Sequence, residues 1–275
     1  MSGSNRIDAR FAQLKASGRK GLVPFMTAGD PLPDAMVAIM HALVAAGSDL
    51  IELGMPYSDP VADGPVIQHA GERAIAKGVG LRQVLAWIRE FRREDASTPI
   101  VLMGYLNPIE FYGYPAFAND AVEAGVDGVL IVDVPVEEAA TLKPLRDAGL
   151  HQIFLVAPTT TEQRLATIRA MAQGYIYYVS FNGITGANRI DTAAVRAKVE
   201  AIKASGDIPV AVGFGIRDAE TAGSIAEFAD AVVIGSALVA RMAECSSAEA
   251  ACAAATDFLA PIRAGLDRSA QVVAH

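Results

Sequence analysis

Two carboxylates stand close together in the sequence beside a short apolar run. Glu52 lies between Ile51 and Leu53, and Asp63 lies in the Gly- and Pro-rich segment that follows. Ionisable side chains are rarely fully buried unless they are paired, so Glu52 needs an explanation. One explanation is acid–base chemistry with Asp63 held opposite; another is a buried ion pair with an Arg or Lys of another strand. Asp63 could instead serve a turn or a helix N-cap.

Glycines after two later apolar runs predict an anion site. Gly213 and Gly215 follow one run, and Gly235 and Ser236 follow the next. Glycine lets the backbone approach a ligand closely, and the free N–H groups of a helix N-terminus attract anions. An earlier segment ending at Gly186 supplies another Gly-rich wall for this predicted anion site. A tight strand-to-helix turn explains each glycine pair alone, whereas the two pairs together predict phosphate binding.

The remaining polar candidates give weaker signals. Asp133 follows an apolar run and is either a partner of the site or the start of a helix. Alternation along a strand sends Tyr175 and Tyr177 to one face and Tyr178 to the other, and packing explains all three. The histidines share no motif, and no spacing of His, Cys or carboxylate residues predicts a metal site.

Eight short apolar runs alternate with helical patterns. Such continuous runs are typical of parallel strands buried on both faces. The predicted strands lie near residues 22–27, 50–53, 100–104, 128–132, 152–156, 175–179, 210–212 and 231–234. Eight strand–helix units in this length predict a closed (β/α)8 TIM barrel, in which catalytic groups follow the strands and phosphate often binds after strands seven and eight. An open doubly wound sheet is the alternative, and Pro24 inside the first run marks a strand start or a bulge.

Two further helical patterns complete the predicted fold. A helix near 7–16 is expected to cover one end of the barrel, and an extra helical segment near 66–77 precedes the helix near 81–93. No stretch is typical of a linker. We therefore predict a single TIM-barrel domain over residues 1–275, with short flexible tails near 1–5 and 268–275.

Composition excludes several classes of partner. The 275 residues carry a net charge of −8, which argues against nucleic acid, since phosphate contacts need clustered Lys and Arg. No apolar run approaches the ~20 residues that span a bilayer, and the first residues have no apolar signal-peptide core. We expect a cytoplasmic protein with no membrane partner. Cys245 and Cys252 match no redox or zinc spacing and are interpreted as reduced thiols.

Taken together, the motifs match one family over nearly the whole chain. The matching segments are 24–31, 52–65, 103–108, 133–138, 183–186, 213–215 and 235–236. With these segments the chain resembles the tryptophan synthase alpha subunit. The resemblance implies a lyase that cleaves indole-3-glycerol phosphate to indole and D-glyceraldehyde 3-phosphate in L-tryptophan biosynthesis, without a cofactor of its own.

The resemblance also implies roles for individual residues. Glu52 would be the main acid–base group, Asp63 would bind the indole N–H, and Tyr177 would line the site. Thr185 would lie on a mobile loop that helps to close the site. The phosphate would be held by Gly186, Gly213, Gly215, Gly235 and Ser236. The indole pocket would be formed by Phe25, Ile67 and Met103.

The implied partner is a tryptophan synthase beta subunit in an alpha2beta2 heterotetramer. The beta subunit would carry pyridoxal phosphate and receive the indole. The expected interface includes segments 56–60, 107–108 and 133–135. Aromatic residues such as Tyr57 and Phe111 suit such a face, although turn chemistry explains them equally well.

One position departs from the family pattern, and more than one function stays open. Phe181 stands where some relatives carry a basic residue, which puts phosphate affinity or loop closure in question. Another barrel enzyme for a phosphorylated sugar would need a metal cluster or a Lys/Glu pair at strand ends, and the sequence has neither. The same residues are compatible with a protein that mainly activates its beta partner and with a stand-alone lyase that releases indole.

Overall fold

Parallel strands and helices alternate along the chain in the computed structural model. It describes residues 5–179, 192–204, 206–213 and 215–273. The strands are β1 Gly21–Thr27, β2 Ile51–Gly54, β3 Ile100–Gly104, β4 Gly128–Ile131, β5 His151–Gln152, β6 Phe154–Val156, β7 Ile176–Val179, β8 Val210–Gly213 and β9 Ala231–Ile234. Each of the eight predicted strands is confirmed, the fifth of them as the two segments β5 and β6.

The strands form a barrel. Their order in the sheet is β5-β4-β3-β2-β1-β9-β8-β7-β6, and every pairing is parallel. Only Ile153 separates β5 from β6, and its N–H donates to the Val129 carbonyl at 2.9 Å. The two segments therefore act as one strand that pairs with β4 on one side and β7 on the other. The predicted TIM barrel is confirmed, and the open doubly wound sheet is excluded.

Helices surround the barrel and link consecutive strands. The α-helices are α1 Arg6–Ser17, α2 Met36–Ala45, α3 Pro65–Ala76, α4 Leu81–Phe91, α5 Leu106–Tyr112, α6 Tyr114–Ala124, α7 Lys143–Asp147, α8 Glu162–Met171, α9 Thr192–Lys203, α10 Ala219–Ala226, α11 Ser236–Met242 and α12 Ala248–Val273. Short 3-10 helices cover Pro33–Ala35 and Val136–Leu142. Within the described ranges, no helix combines the length and apolar character that crossing a bilayer requires.

Helix α1 closes the amino-terminal end of the barrel. Its buried residues Ile7, Phe11 and Leu14 join the cluster of side chains that fills the barrel interior. The Phe11 ring lies 5.6 Å from the ring of Tyr175, centroid to centroid. The predicted covering helix is thus confirmed, and so is the extra helical segment after the second strand, which is α3. Because α1 fills one end, a ligand reaches the interior from the opposite end.

Aspartates at strand starts fix the register of neighbouring strands. Each accepts a hydrogen bond from a backbone N–H near the start of the adjacent strand, at 2.8 or 2.9 Å. The acceptor–donor pairs are Asp49 with Leu22, Asp127 with Ile100, and Asp230 with Val210. Positively charged partners neutralise them, for example Arg263 on Asp49 at 2.9 Å. The starts of the strands are therefore aligned, so their carboxyl ends meet at the opposite edge of the barrel. Asp63 and Asp133 follow strands at that edge.

Pro24 lies inside β1, which differs from the predicted strand start or bulge. It is in register with Ile234 of β9, and the next residue, Phe25, is in register with Glu52 of β2. All seven residues of β1 are buried. β1 is therefore in register with β9 up to Pro24 and with β2 from Phe25 onward.

Candidate active site

A pocket opens at the carboxyl ends of β1, β2 and β3. Its lining residues are Phe25, Thr27, Gly54, Met55, Pro56, Tyr57, Pro60, Asp63, Ile67, Gly71, Met103, Gly104, Tyr105 and Val132. The three residues predicted for the indole pocket and the carboxylate of Asp63 thus surround one space. An apolar pocket with few polar groups is the usual form of a small-molecule site.

Glu52 lies beneath this pocket rather than in its wall. It occupies the middle of β2, in register with Phe25 on one side and Val101 on the other. Its side chain is fully buried in the barrel interior. Among the described residues it has no Arg or Lys within ion-pair distance, so that part of the chain does not form the buried ion pair considered from the sequence.

Tyr175 holds one oxygen of the Glu52 carboxyl. The Tyr175 hydroxyl donates to Glu52 Oε1 at 2.6 Å, and both side chains are completely buried. Glu52 Oε2 has no hydrogen-bond partner in the part of the chain that is described. Sequence reasoning interpreted Tyr175 as packing and missed this contact. Its alternation with Tyr177 toward the barrel interior was the available signal.

Burial keeps Glu52 protonated at neutral pH. Loss of solvation raises the pKa of Glu52 from about 4.5 to about 8, and the Tyr175 hydrogen bond opposes this shift only in part. A carboxyl in apolar surroundings resists ionisation because its charged form is not solvated. With Oε1 held by Tyr175, the acidic proton is free to lie on Oε2. Glu52 therefore carries a proton near physiological pH.

The raised pKa predicts how the free energy of unfolding depends on pH. Between about pH 4.5 and about pH 8 the folded protein holds a proton on Glu52 that the unfolded chain has lost. Stability from this group is therefore greatest at low pH and decreases as pH rises through that window. We compare the unfolding free energy of Glu52→Gln with that of the wild type at each pH. We expect this difference to favour the variant more at pH 9 than at pH 5, by an amount on the order of 4 kcal/mol.

Urea unfolding of the wild type and the variant at several pH values measures this difference. Glu90→Gln on the exposed side of α4 is the matched control and should show no such trend. A wild-type minus variant difference that is constant from pH 5 to pH 9 would contradict a protonated Glu52.

Asp63 faces the pocket from the loop between β2 and α3. Its carboxylate accepts a hydrogen bond from the Tyr105 hydroxyl at 3.1 Å. Burial raises the pKa of Asp63, and the hydrogen bond from Tyr105 lowers it. The N-cap of α3 is Gly64, with no side-chain cap, so Asp63 does not cap that helix. Sequence reasoning missed Tyr105, although its place directly after a strand was a usable signal.

Asp133 serves the start of a helix, one of its two predicted roles. Asp133 Oδ1 accepts the Leu106 N–H at 2.9 Å, at the first residue of α5. The carboxylate, which follows β4, thereby holds the backbone that follows β3. It does not line the pocket.

Tyr177 and Gly213 face each other inside the barrel mouth. Enclosure by the protein raises the pKa of Tyr177 well above its ordinary value, and the neighbouring Glu52 raises it further. A Cβ atom at Gly213 would lie 2.0 Å from the Tyr177 hydroxyl oxygen. Only glycine fits at this position while the tyrosine keeps its place. Tyr177 is thus near Glu52, as predicted.

The described glycines that were predicted to bind phosphate lie at or just after the ends of two adjacent strands, β8 and β9. Gly213 ends β8, Gly215 follows with a φ of +75°, and Gly235 is the N-cap of α11, which begins at Ser236. Because β9 pairs with β1, this region adjoins the pocket next to Phe25. These residues do not line the pocket itself.

Several predicted residues lie outside the described ranges. They are Phe181, Thr185 and Gly186. In the described ranges, no group of three or more His, Cys, Asp or Glu side chains is placed to hold a metal ion. Cys245 and Cys252 are free, half-buried thiols, as interpreted from the sequence.

Fold and pocket together define a TIM barrel with one carboxyl group in the wall of a pocket and another buried in the barrel interior. The family model described as "Tryptophan synthase alpha chain" matches residues 11–264. The tryptophan synthase alpha chain of Ralstonia nicotianae is 57% identical over 264 residues, covering 96% of this chain and 99% of the relative. That of Burkholderia multivorans is 55% identical over 267 residues, covering 97% and 98%.

Solved structures agree with these relatives. Tryptophan synthase subunit alpha from Legionella pneumophila superposes with a TM-score of 0.89 at 44% identity, covering 97% of this chain and 100% of that chain. A chain of aminoacrylate-bound tryptophan synthase from M. tuberculosis superposes with a TM-score of 0.84 at 36% identity, covering 96% and 100%. The chain belongs to the tryptophan synthase alpha chain family.

Family membership confirms the predicted reaction. The chain is a carbon–carbon lyase that cleaves indole-3-glycerol phosphate to indole and D-glyceraldehyde 3-phosphate, a step of tryptophan biosynthesis. Membership in this family implies a complex with a tryptophan synthase beta subunit.

Proposed function

We propose that Glu52 is the acid–base group of this cleavage. Its protonated carboxyl donates a proton to the ring carbon that bears the glycerol side chain. The carboxylate that remains helps to remove the proton of the adjacent side-chain hydroxyl. The carbon–carbon bond then breaks, the hydroxyl carbon becomes the aldehyde, and the bonding electrons return to the indole ring. The observation that carries this role is the complete burial of a carboxyl whose Oε2 has no partner in the described chain.

Asp63 is proposed to bind the indole N–H and to stabilise positive charge on that nitrogen. Protonation of the ring carbon leaves an iminium-like cation, and a carboxylate already in place lowers the energy of that cation. The support is its position in the wall of the pocket with Phe25, Ile67 and Met103. Tyr177 completes the proposed catalytic group because it adjoins both Glu52 and the glycine that ends β8.

Phosphate binding is proposed at the ends of β8 and β9. Gly213, Gly215, Gly235 and Ser236 would contribute backbone and hydroxyl donors, together with Gly186. This is the usual place for phosphate in TIM barrels, and the pairing of β9 with β1 brings it next to the pocket. Thr185 is proposed to help close the site. The effect of Phe181 on phosphate affinity stays a prediction.

An alpha2beta2 heterotetramer that passes indole to the beta subunit is proposed for the assembly. The support is apolar exposure near the pocket: Phe111 is 94% exposed and Val61 is 88% exposed. Both residues follow strands that end at the pocket, so a partner that covers them would also cover its opening. The cytoplasmic location and the single-domain assignment predicted from the sequence stay predictions.

Indole release tests the proposed assembly and activity. The purified chain is incubated with indole-3-glycerol phosphate, with and without a beta subunit, and indole is quantified. We expect slow release by the chain alone and a large acceleration by the beta subunit. Fast release that is unaffected by the beta subunit would instead indicate a stand-alone lyase, and no release in either assay would contradict the proposed site.

A further inference from the structure

Tyr105 connects two loops of the active site. It follows β3 directly, is the N-cap residue of α5, and is buried although it belongs to a loop. Its hydroxyl oxygen accepts the Ala62 N–H at 2.9 Å and lies 3.1 Å from Asp63 Oδ2. Because the backbone N–H occupies an acceptor position, the hydroxyl hydrogen must point to the carboxylate. The direction of both hydrogen bonds is thus fixed.

Tyr105 is itself held from two sides. Its ring lies 5.1 Å from that of Tyr57, centroid to centroid. Asp133 binds the N–H of the next residue, Leu106, at 2.9 Å. Burial and the nearby carboxylates raise the pKa of Tyr105 to about 12, so the phenol keeps its proton at any pH used for an assay. It is a rigid and permanent donor.

In the described ranges, few contacts other than Tyr105 hold the Asp63 side chain. It belongs to an irregular loop in which Val61, Ala62 and Gly64 are exposed. Its carbonyl oxygen accepts the Gln68 side-chain amide at 2.7 Å, which restrains the backbone and not the carboxylate. The Tyr105 hydroxyl is the one side-chain donor to the carboxylate found in the described ranges.

We propose that Tyr105 is a positioning residue that holds the Asp63 carboxylate, in its ionised form, toward the substrate pocket. This inference rests on the proposed role of Asp63 in the cleavage. A carboxylate that must meet a cationic ring nitrogen gains from being fixed in advance, since it then needs no reorganisation as charge develops. The hydroxyl also satisfies Ala62, so a single group orders both the loop and its functional side chain.

Tyr105→Phe tests the proposal because it removes only the hydroxyl and keeps the ring against Tyr57. We expect kcat/KM for indole-3-glycerol phosphate to fall by about 10- to 100-fold, the usual cost of losing a hydrogen bond to a charged group. The acidic limb of the pH profile should also move to higher pH, because losing the donor raises the pKa of Asp63. In the described ranges, the titratable groups that line the pocket with Asp63 are Tyr57 and Tyr105, and the charge of Asp133 lies close enough to raise the pKa of Tyr105.

Tyr112→Phe is the matched control. Tyr112 ends the same helix, α5, and its hydroxyl also donates to an aspartate, Asp120, but away from the pocket. It should lose a similar amount of stability and keep both kcat/KM and the acidic limb. A Tyr105→Phe enzyme with wild-type kcat/KM, or with reduced kcat/KM and an unmoved acidic limb, would overturn the positioning role.

A double variant separates this inference from the role of Asp63. If Tyr105 acts through Asp63, adding Tyr105→Phe to Asp63→Asn should reduce kcat/KM by less than about twofold, since the two effects are not additive. A full additional loss would show that Tyr105 acts independently and would overturn the inference. Near-normal turnover of Asp63→Asn alone would instead refute the proposed role of Asp63.

Discussion

Glu52→Gln is expected to reduce kcat for indole formation by about 10²–10⁴-fold, the range that general acid–base catalysis contributes. Glutamine keeps the shape of the side chain and can still accept the Tyr175 hydrogen bond at its carbonyl oxygen. It cannot deliver the proton that the ring carbon needs. The raised pKa of Glu52, about 8, places that proton on the wild-type enzyme at neutral pH. KM should change little, because the lost interaction belongs to the transition state.

The assay is steady-state indole release with the beta subunit present, alongside circular dichroism to confirm folding. Glu72→Gln, an exposed change of the same type, should retain full activity. Near-normal turnover of Glu52→Gln would refute the assignment of Glu52 as the acid and would direct attention to Asp63.

Gly213→Ala is expected to have the second-largest effect. The added Cβ would lie 2.0 Å from the Tyr177 hydroxyl oxygen and 2.4 Å from Cζ, distances that no side chain adopts. Tyr177 must therefore move, and it cannot move freely because it lies within the barrel mouth beside Glu52. We expect a loss of about 1–3 kcal/mol of unfolding free energy, as for other overpacked sites. A displacement of about 1 Å beside the reacting groups should also reduce kcat/KM by about 10²-fold.

Gly206→Ala is the control for this substitution. Gly206 is exposed outside any helix or strand, and nothing lies within 4 Å of its added Cβ. Thermal unfolding and kcat/KM of that variant should match the wild type. If Gly213→Ala also matched the wild type, the close approach of Tyr177 to β8 would be wrong.

The barrel itself could be predicted from the sequence because its signal is local and repeated. Continuous apolar runs mark strands buried on both faces, and each run found in the sequence became a strand. The Ala-Gly-x-Asp segments before β2 and β4 are a second local signal, because Gly47 and Gly125, both at positive φ, follow the ends of helices α2 and α6. What local pattern did not show is that Asp49 and Asp127 also bind the neighbouring strand, since that contact joins distant parts of the chain.

The sequence by itself also limited the possible roles of Glu52 to two. A glutamate inside an apolar strand has few explanations other than catalysis or an ion pair. Only the tertiary structure showed that, in the described part of the chain, Glu52 meets a tyrosine and no Arg or Lys. The partner of Glu52 is Tyr175, 123 residues away, and that of Asp63 is Tyr105, 42 residues away. A tyrosine in a strand has the same local pattern whether it packs or donates. Barrel closure brings these hydroxyls to the carboxyls, and burial within the closed barrel then sets the protonation of Glu52.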